Sequence, residues 1–341
     1  MATVKLKPIS EQVVVVCGAS SGIGRETARQ FAGRGAKVVV AARGEEGLAS
    51  LVEEIRSEGG AATSFTCDVA DFAQVKHVVD GAVAAYGRLD TWVHAAGVIS
   101  VGPFERLKPE EVKRIIDVNL VGQMYGAMAA LPHLKANGGA LIHISSIEAK
   151  RAFPWQAVYG ASKHGIDGFL EALRLELMRE GAPVSVTQVM PAAINTPLYD
   201  KGKSILGVKP LAPPPVYQPN TVAAVILYAA EHPARDLIAG GSGASILLSQ
   251  RLSPRLVDAM LRPVAFRAQE TDEPKPADTP NNLFAPIAGH DTVEGRFSKM
   301  ATGRSLYNWL ETHPAATRGL AASAAAGIAG LLAARASRGA R

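Results

Sequence analysis

The sequence predicts an α/β protein, a parallel sheet doubly wound with helices on both faces. Two observations carry this. Six apolar, largely β-branched runs alternate with helical patterns over the first 250 residues. The first run also ends in a glycine-rich turn that opens the first helix. Alternation of this length favours parallel strands joined by right-handed crossovers.

The elements follow in order. Four consecutive valines lead the strand Val13–Cys17, and Gly22–Gly33 reads as the helix behind it. Lys37–Ala41, Ala62–Thr66 and Thr91–His94 are the next strands, with helices Glu45–Glu58 and Phe72–Tyr86 between them. One long helix, Pro109–Lys135, precedes the strand Ala140–Ile144. Tyr159–Glu180 is helical and leads to the strand Ser185–Met190. Gly35 and Gly181 stand just past helices, where C-terminal caps belong. The pattern then breaks. Residues 199–220 are proline-rich and aperiodic, and a loop this long inside a domain is usually functional or mobile. A helix near Thr221–Glu231 and an apolar run, Ala244–Leu248, follow. Residues 270–288 read as an acidic, proline-rich linker or surface strap. The expected organisation is a catalytic domain over 1–250, an extension over 251–304 and a small-residue apolar tail over 305–341.

Composition narrows the function. The 341 residues are 48% hydrophobic and 20% charged, which suits a globular protein with a sizeable core. The net charge of +5 is mild, and no lysine-rich run is interleaved with aromatics, which argues against nucleic acid as partner. Cys17 and Cys67 form no metal-type pair, so no metal is expected, and sparse cysteine fits a reducing, cytoplasmic compartment. The N-terminus lacks a secretory apolar region.

A strand, a glycine turn and a helix together make an anion site, because unpaired amides and the helix dipole both favour negative charge. In CGASSGIG, Gly18 permits the tight turn, Gly22 lets the backbone approach a pyrophosphate, and Gly24 lets the helix pack close to the sheet. This is a Rossmann-like dinucleotide arrangement, although the spacing is GxxxGxG. Further along, YGASK sets Tyr159 and Lys163 four residues apart, on one face of a helix. Ser146 ends a strand 13 residues earlier, and DVNLVG supplies Asn119.

In these motifs the chain resembles the short-chain dehydrogenase/reductase family over about residues 10–250. The resemblance implies hydride transfer between a nicotinamide and a carbonyl or alcohol carbon. It implies Tyr159 as general acid or base, Lys163 as the charge that lowers the Tyr159 pKa and binds cofactor ribose, and Ser146 as holder of the substrate oxygen. It also implies that Asn119 holds a water near Lys163. Cofactor contacts are expected from Gly18, Ser20, Ser21, Gly22, Ile23 and Gly24 in the loop, and from Asp68 and Val69 at the adenine. Ala96 and Gly97, Tyr159 and Lys163, and Ile194 and Thr196 of PAAINTP complete the set. Ala42 stands where NAD-using relatives carry Asp, and Arg43 follows it. An arginine can take a 2′-phosphate, so the expected cofactor is NADP(H).

Three positions depart from the family pattern: Cys17 for Thr, HAAG (94–97) for NNAG, and Ala192 for Gly. His94 either takes over part of the missing Asn role or only packs in the turn. The chain also lacks the usual family terminus, running on through AGGSGASILLSQRLSPRL into further helix, so the common subunit interface is altered or covered; a homodimer is the expected assembly. Between Arg318 and Arg335 lie 16 uncharged residues, about 24 Å of helix. That is short of the roughly 30 Å hydrocarbon core, so the first expectation is a helix that docks on protein or frays, then peripheral membrane contact, with a true span the least favoured reading. Phe153, Trp155, Leu198, Tyr199, Ile205 and Leu206 make the expected substrate region apolar, pointing to a hydrophobic carbonyl substrate. A ketoacyl-type reductase, or a non-catalytic dinucleotide-binding or membrane-tethered protein, remains an alternative.

Overall fold

The computed structural model describes residues 4–319. Its centre is a seven-stranded, all-parallel sheet. The strands are β1 (Val13–Cys17), β2 (Lys37–Ala42), β3 (Ala61–Thr66), β4 (Thr91–His94), β5 (Gly139–Ile144), β6 (Val184–Pro191) and β7 (Asp236–Ala239). Their order across the sheet is β3-β2-β1-β4-β5-β6-β7. The winding direction reverses between β1 and β4, and the crevice outside the strand C-termini at such a reversal is where a ligand binds in this architecture.

The run of valines in β1 has a direct cause. Val14 and Val16 enter one core and Val15 and Cys17 the other, so every position is buried. Helices α1 (Gly22–Gly33), α2 (Glu45–Ser57) and α8 (Pro219–Glu231) contribute to the first core. Helices α3 (Phe72–Tyr86), α4 (Pro109–Ile116), α5 (Gly122–Asn137) and α6 (Ala157–Glu180) contribute to the second. Each buried valine contributes about 1.5–3 kcal/mol. Asp71 caps α3 by accepting from the amides of Ala73 and Gln74, and Gly181 ends α6 in the left-handed region at φ 67°.

The structure departs from the sequence expectation at four places. The helix expected over 109–135 is broken by a π turn at Asp117–Val121, which separates α4 from α5. The apolar run Ala244–Leu248 lies within helix α9 (Gly241–Leu252); the seventh strand is the short edge segment Asp236–Ala239 before it. The 199–220 segment is no free loop. It holds the short helix α7 (Leu198–Lys201) and three short strands: Lys203–Ser204 pairs with Ser100–Val101, Gly207–Pro210 with Glu270–Lys275, and Val216–Tyr217 with Ala301–Thr302. The expected 270–288 linker therefore begins as a paired strand. Beyond α10 (Pro254–Leu261), the chain returns to the sheet's C-terminal edge, forms α11 (Leu306–Thr312) and ends its described part in helical residues 314–319. Most of the expected apolar tail, from residue 320 on, lies outside the described residues. Among the described residues no helix is long and apolar enough to cross a membrane.

The N-terminal edge of the sheet is tied by Asp90. Its carboxylate accepts from Lys7 Nζ at 2.9 Å, from Arg88 Nη2 at 2.7 Å and from the Val13 amide at 2.9 Å. Asp90→Ala strands the buried Val13 amide, a loss of about 1–3 kcal/mol. The expected reading is a lower denaturation midpoint with ligand binding at the far edge retained. An unchanged midpoint would mean that solvent replaces the carboxylate.

Candidate active site

At the C-terminal edge the β1–α1 turn is set by backbone alone. Gly18 has φ 85°, and its amide donates to Ala41 O at 2.7 Å. A Cβ on Gly18 would come within 2.4 Å of the Ala96 amide nitrogen, and one on Gly24 within 2.2 Å of Gly18 O. Gly22, at φ 59°, faces the Thr196 side chain. The turn thus admits no side chains where β1, β4 and α1 meet, and α1 points its free amides into the crevice. This cradle fits a phosphate-bearing dinucleotide.

From the turn a cavity of about 730 Å³ runs across the sheet edge. Gly18, Ser20, Ser21, Gly22, Ile23 and Gly24 line one end, with Arg43, Asp68 and Val69 beside them. Ala96, Gly97, Ile194 and Thr196 line the middle, and Ser146, Tyr159 and Lys163 the other end. Every cofactor-binding residue expected from the sequence therefore borders one cavity. Of the four expected catalytic residues, Asn119 stands behind its wall.

Strand β5 delivers Ser146, whose Oγ accepts from the Glu148 amide at 3.1 Å. Helix α6 carries Tyr159 and Lys163 on one face, with Lys163 Nζ 5.4 Å from the Tyr159 ring centroid and donating to Ile144 O at 3.1 Å. All three are buried. Burial outweighs any lowering of the Tyr159 pKa by Lys163 in this geometry. Burial, with Glu148 and Tyr199 adding to it, pushes the phenol well above its ordinary value, against a Ser146 hydrogen bond. Burial also pulls Lys163 down to about 8, with Glu148 opposing.

Asn119 stands behind the wall at this end. It lies in the π turn, a frequent device at functional sites, with its side chain engaged on protein. Oδ1 accepts from the Val98 amide at 2.8 Å, and Nδ2 donates to Val98 O at 2.9 Å and Ser162 Oγ at 3.2 Å. Both amide protons are used, so a water would be held by an acceptor, such as the second lone pair of Oδ1, rather than by the Nδ2 protons. His94 only packs: it is fully buried, stacked on His143 with centroids 6.2 Å apart, and among the described residues neither ring nitrogen has a hydrogen-bond partner. Burial holds it neutral, well below the ordinary histidine pKa. Cys17 Sγ, also fully buried, forms no hydrogen bond among the described residues.

Arg43 is drawn to the returning C-terminal chain. Its Nη2 donates to Asn282 O at 2.6 Å and its Nη1 to Leu283 O at 3.1 Å. Arg114 also donates to Leu283 O, at 2.8 Å, and pairs with Asp68 at 2.6 Å. The Gly22 amide donates to Thr292 O at 2.9 Å, and Phe297 N donates to Asn195 Oδ1 at 2.9 Å. Residues 282–297 thus strap the cavity, and Asn282, Pro286, Ile287, Ala288 and Asp291 form its outer wall. Sequence reasoning missed these residues, since most of the ties run through carbonyls that any residue supplies.

It also missed Glu148. This carboxyl is buried at the Tyr159 end, with Oε2 accepting from the Phe153 amide at 3.3 Å. Burial pushes it up to about 8, opposed by the Phe153 amide and Lys163. Around it the lining is apolar and aromatic, from Phe153, Leu198, Tyr199, Leu261 and Val264. Trp155 stacks edge-on against Phe266 of the extension at 4.9 Å.

A family profile for short chain dehydrogenases matches residues 12–204, more than half of the chain. The chain belongs to the short chain dehydrogenase family. Members bind a nicotinamide dinucleotide, and the cradle at Gly18 fits one. The oxidoreductase YxnA of Bacillus subtilis (strain 168) is 37% identical over 330 residues, covering 94% of this chain and 92% of that protein. With so little of the chain left over, that match runs through the extension. A 3beta-hydroxysteroid dehydrogenase of Eggerthella lenta is 36% identical over 190 residues, 55% of this chain and 72% of its own. Among solved structures, a variant of actinorhodin polyketide ketoreductase crystallised with NADPH superposes with a TM-score of 0.62 and 32% identity. It covers 71% of this chain and 99% of its own.

The charges give the pH dependence its sign. Lys163 carries its proton below about pH 8 and loses it above, so turnover that needs the ammonium falls as pH rises through 8. Glu148→Gln removes the negative charge that favours the ammonium. The alkaline limb of the pH–rate profile is then expected at lower pH than in the wild type. A limb that does not move would separate Glu148 from the Lys163 titration.

Proposed function

We propose that the protein is an NADP(H)-dependent oxidoreductase that moves a hydride between nicotinamide and a carbonyl or alcohol carbon of a hydrophobic substrate. One observation carries the reading: Ser146, Tyr159 and Lys163 are buried together at one end of a cavity whose other end is the glycine turn. The nicotinamide, when bound, supplies or accepts the hydride. The protein positions the reacting oxygen and handles the proton.

In the reducing direction Tyr159 gives its proton to the oxygen that gains negative charge. The buried phenol is held protonated, ready to donate. Ser146 donates a hydrogen bond to the same oxygen. The Lys163 ammonium stabilises the tyrosinate left behind and holds ribose hydroxyls. Ala42 offers no carboxylate to ribose hydroxyls, and Arg43 beside it supplies positive charge for a 2′-phosphate. Its two bonds to the strap leave the other guanidinium protons of its five-donor fork for that contact. A related ketoreductase crystallised with NADPH supports this preference. The apolar lining from Phe153 to Val264 supports a hydrophobic substrate.

The test begins with parallel titrations of NADPH and NADH, followed by fluorescence. NADPH is expected to bind more tightly, and Arg43→Ala to remove most of that preference. Tyr159→Phe is expected to cut ketone reduction by about 10²–10⁴-fold with NADPH affinity nearly unchanged. Tighter NADH binding would overturn the cofactor assignment. Undiminished turnover in Tyr159→Phe would overturn the proton-transfer role.

A further inference from the structure

Lys201 is a lysine that the proton chemistry above does not use. It is only 9% exposed, and its Nζ donates to Ser21 Oγ of the glycine turn at 2.7 Å and to His290 O at 3.4 Å. Among the described residues it forms no ion pair. Burying an ammonium without a counter-charge is costly. The Asp291 carboxylate acts on it only from beyond ion-pair distance, and Arg43 adds a second positive charge to the same cavity. The α1 N-terminus points at the same place.

The segment bearing Lys201 is held from outside. Helix α7 has four residues, too few to stand alone. The Asn282 amide donates to Lys201 O at 2.9 Å. Lys275 Nζ donates to Asp200 O and to Gly202 O, each at 2.9 Å, and Arg296 pairs with Asp200 at 3.2 Å. The extension therefore fixes where this ammonium sits. It also occupies the Gly22 amide through Thr292 O. An anion at the turn is left with the next amides of α1 and with Lys201.

We propose that Lys201, set in place by the C-terminal strap, is a ligand of the cofactor pyrophosphate. Catalytic domain and extension then share one dinucleotide site. This rests on the dinucleotide reading of the cavity. Lys201 neutralises charge common to NADPH and NADH, whereas Arg43 faces the 2′-phosphate that only NADPH carries. The rival reading is a staple, in which Lys201 merely ties the turn to the strap by two hydrogen bonds.

Lys201→Gln separates the two, because the amide still donates but carries no charge. Direct titration of the full-length variant is expected to show NADPH and NADH weakened by similar factors, about tenfold or more for one lost charged contact. Inorganic pyrophosphate is expected to raise the melting temperature of the wild type but not of the variant. If the glutamine variant fails to fold, Lys201→Met fills the same space with an uncharged stem and is read in the same way. A folded variant that binds both coenzymes within twofold of wild type overturns the proposal, as does weakening confined to NADPH. Wild-type protein that binds neither coenzyme overturns the dinucleotide reading itself, a result distinct from either.

Discussion

The chain can pass from β1 into α1 only because no side chain stands between Gly18, Gly24 and the backbone of Ala96. A methyl at either glycine would meet main-chain atoms within 2.4 Å, and main chain cannot swing aside as a flexible side chain can. This closeness fixes the start of α1 against the ends of β1 and β4. The strand order reverses at the same place, so free amides, crevice and cavity share one origin. Ser146 and the α6 pair gain meaning from lying at the other end of that cavity.

What could be read from the sequence is what local chemistry dictates. Strands buried on both faces need long apolar runs, and β1 and β2 have them. A turn without room for side chains needs glycine at fixed spacing. Tyr159 and Lys163 share a face because a helix brings every fourth residue round. What escaped the sequence depends on long-range company. β7 is a short edge strand with one solvent-facing end and no run to advertise it. The π turn leaves no pattern in DVNLVG beyond an asparagine that turns out to lock onto Val98. The direction of the Tyr159 shift is set first by burial, with Glu148 and Tyr199 adding to it, and none of these could be read from spacing.

The extension is the clearest case of a role written in backbone. Asn282, Leu283 and Thr292 bind through carbonyl oxygens, so their side chains reveal nothing about what they hold. A proline-rich acidic stretch looks like a spacer in composition. Here it begins as a paired strand and continues as the outer wall of a ligand cavity. Arg43 shows the difficulty from the other side: a residue read only for cofactor selection is also an anchor for the strap.

The strap also has a consequence in time. A ribosome makes the chain from its N-terminus, and domains generally fold as they emerge. All seven sheet strands, the glycine turn and the α6 pair are complete before residue 282 is synthesised. For the seconds that separate them the groove exists without its cover. A nascent chain therefore presents an open cradle that the finished protein does not, and the first dinucleotide can arrive before there is anything to lift out of its way.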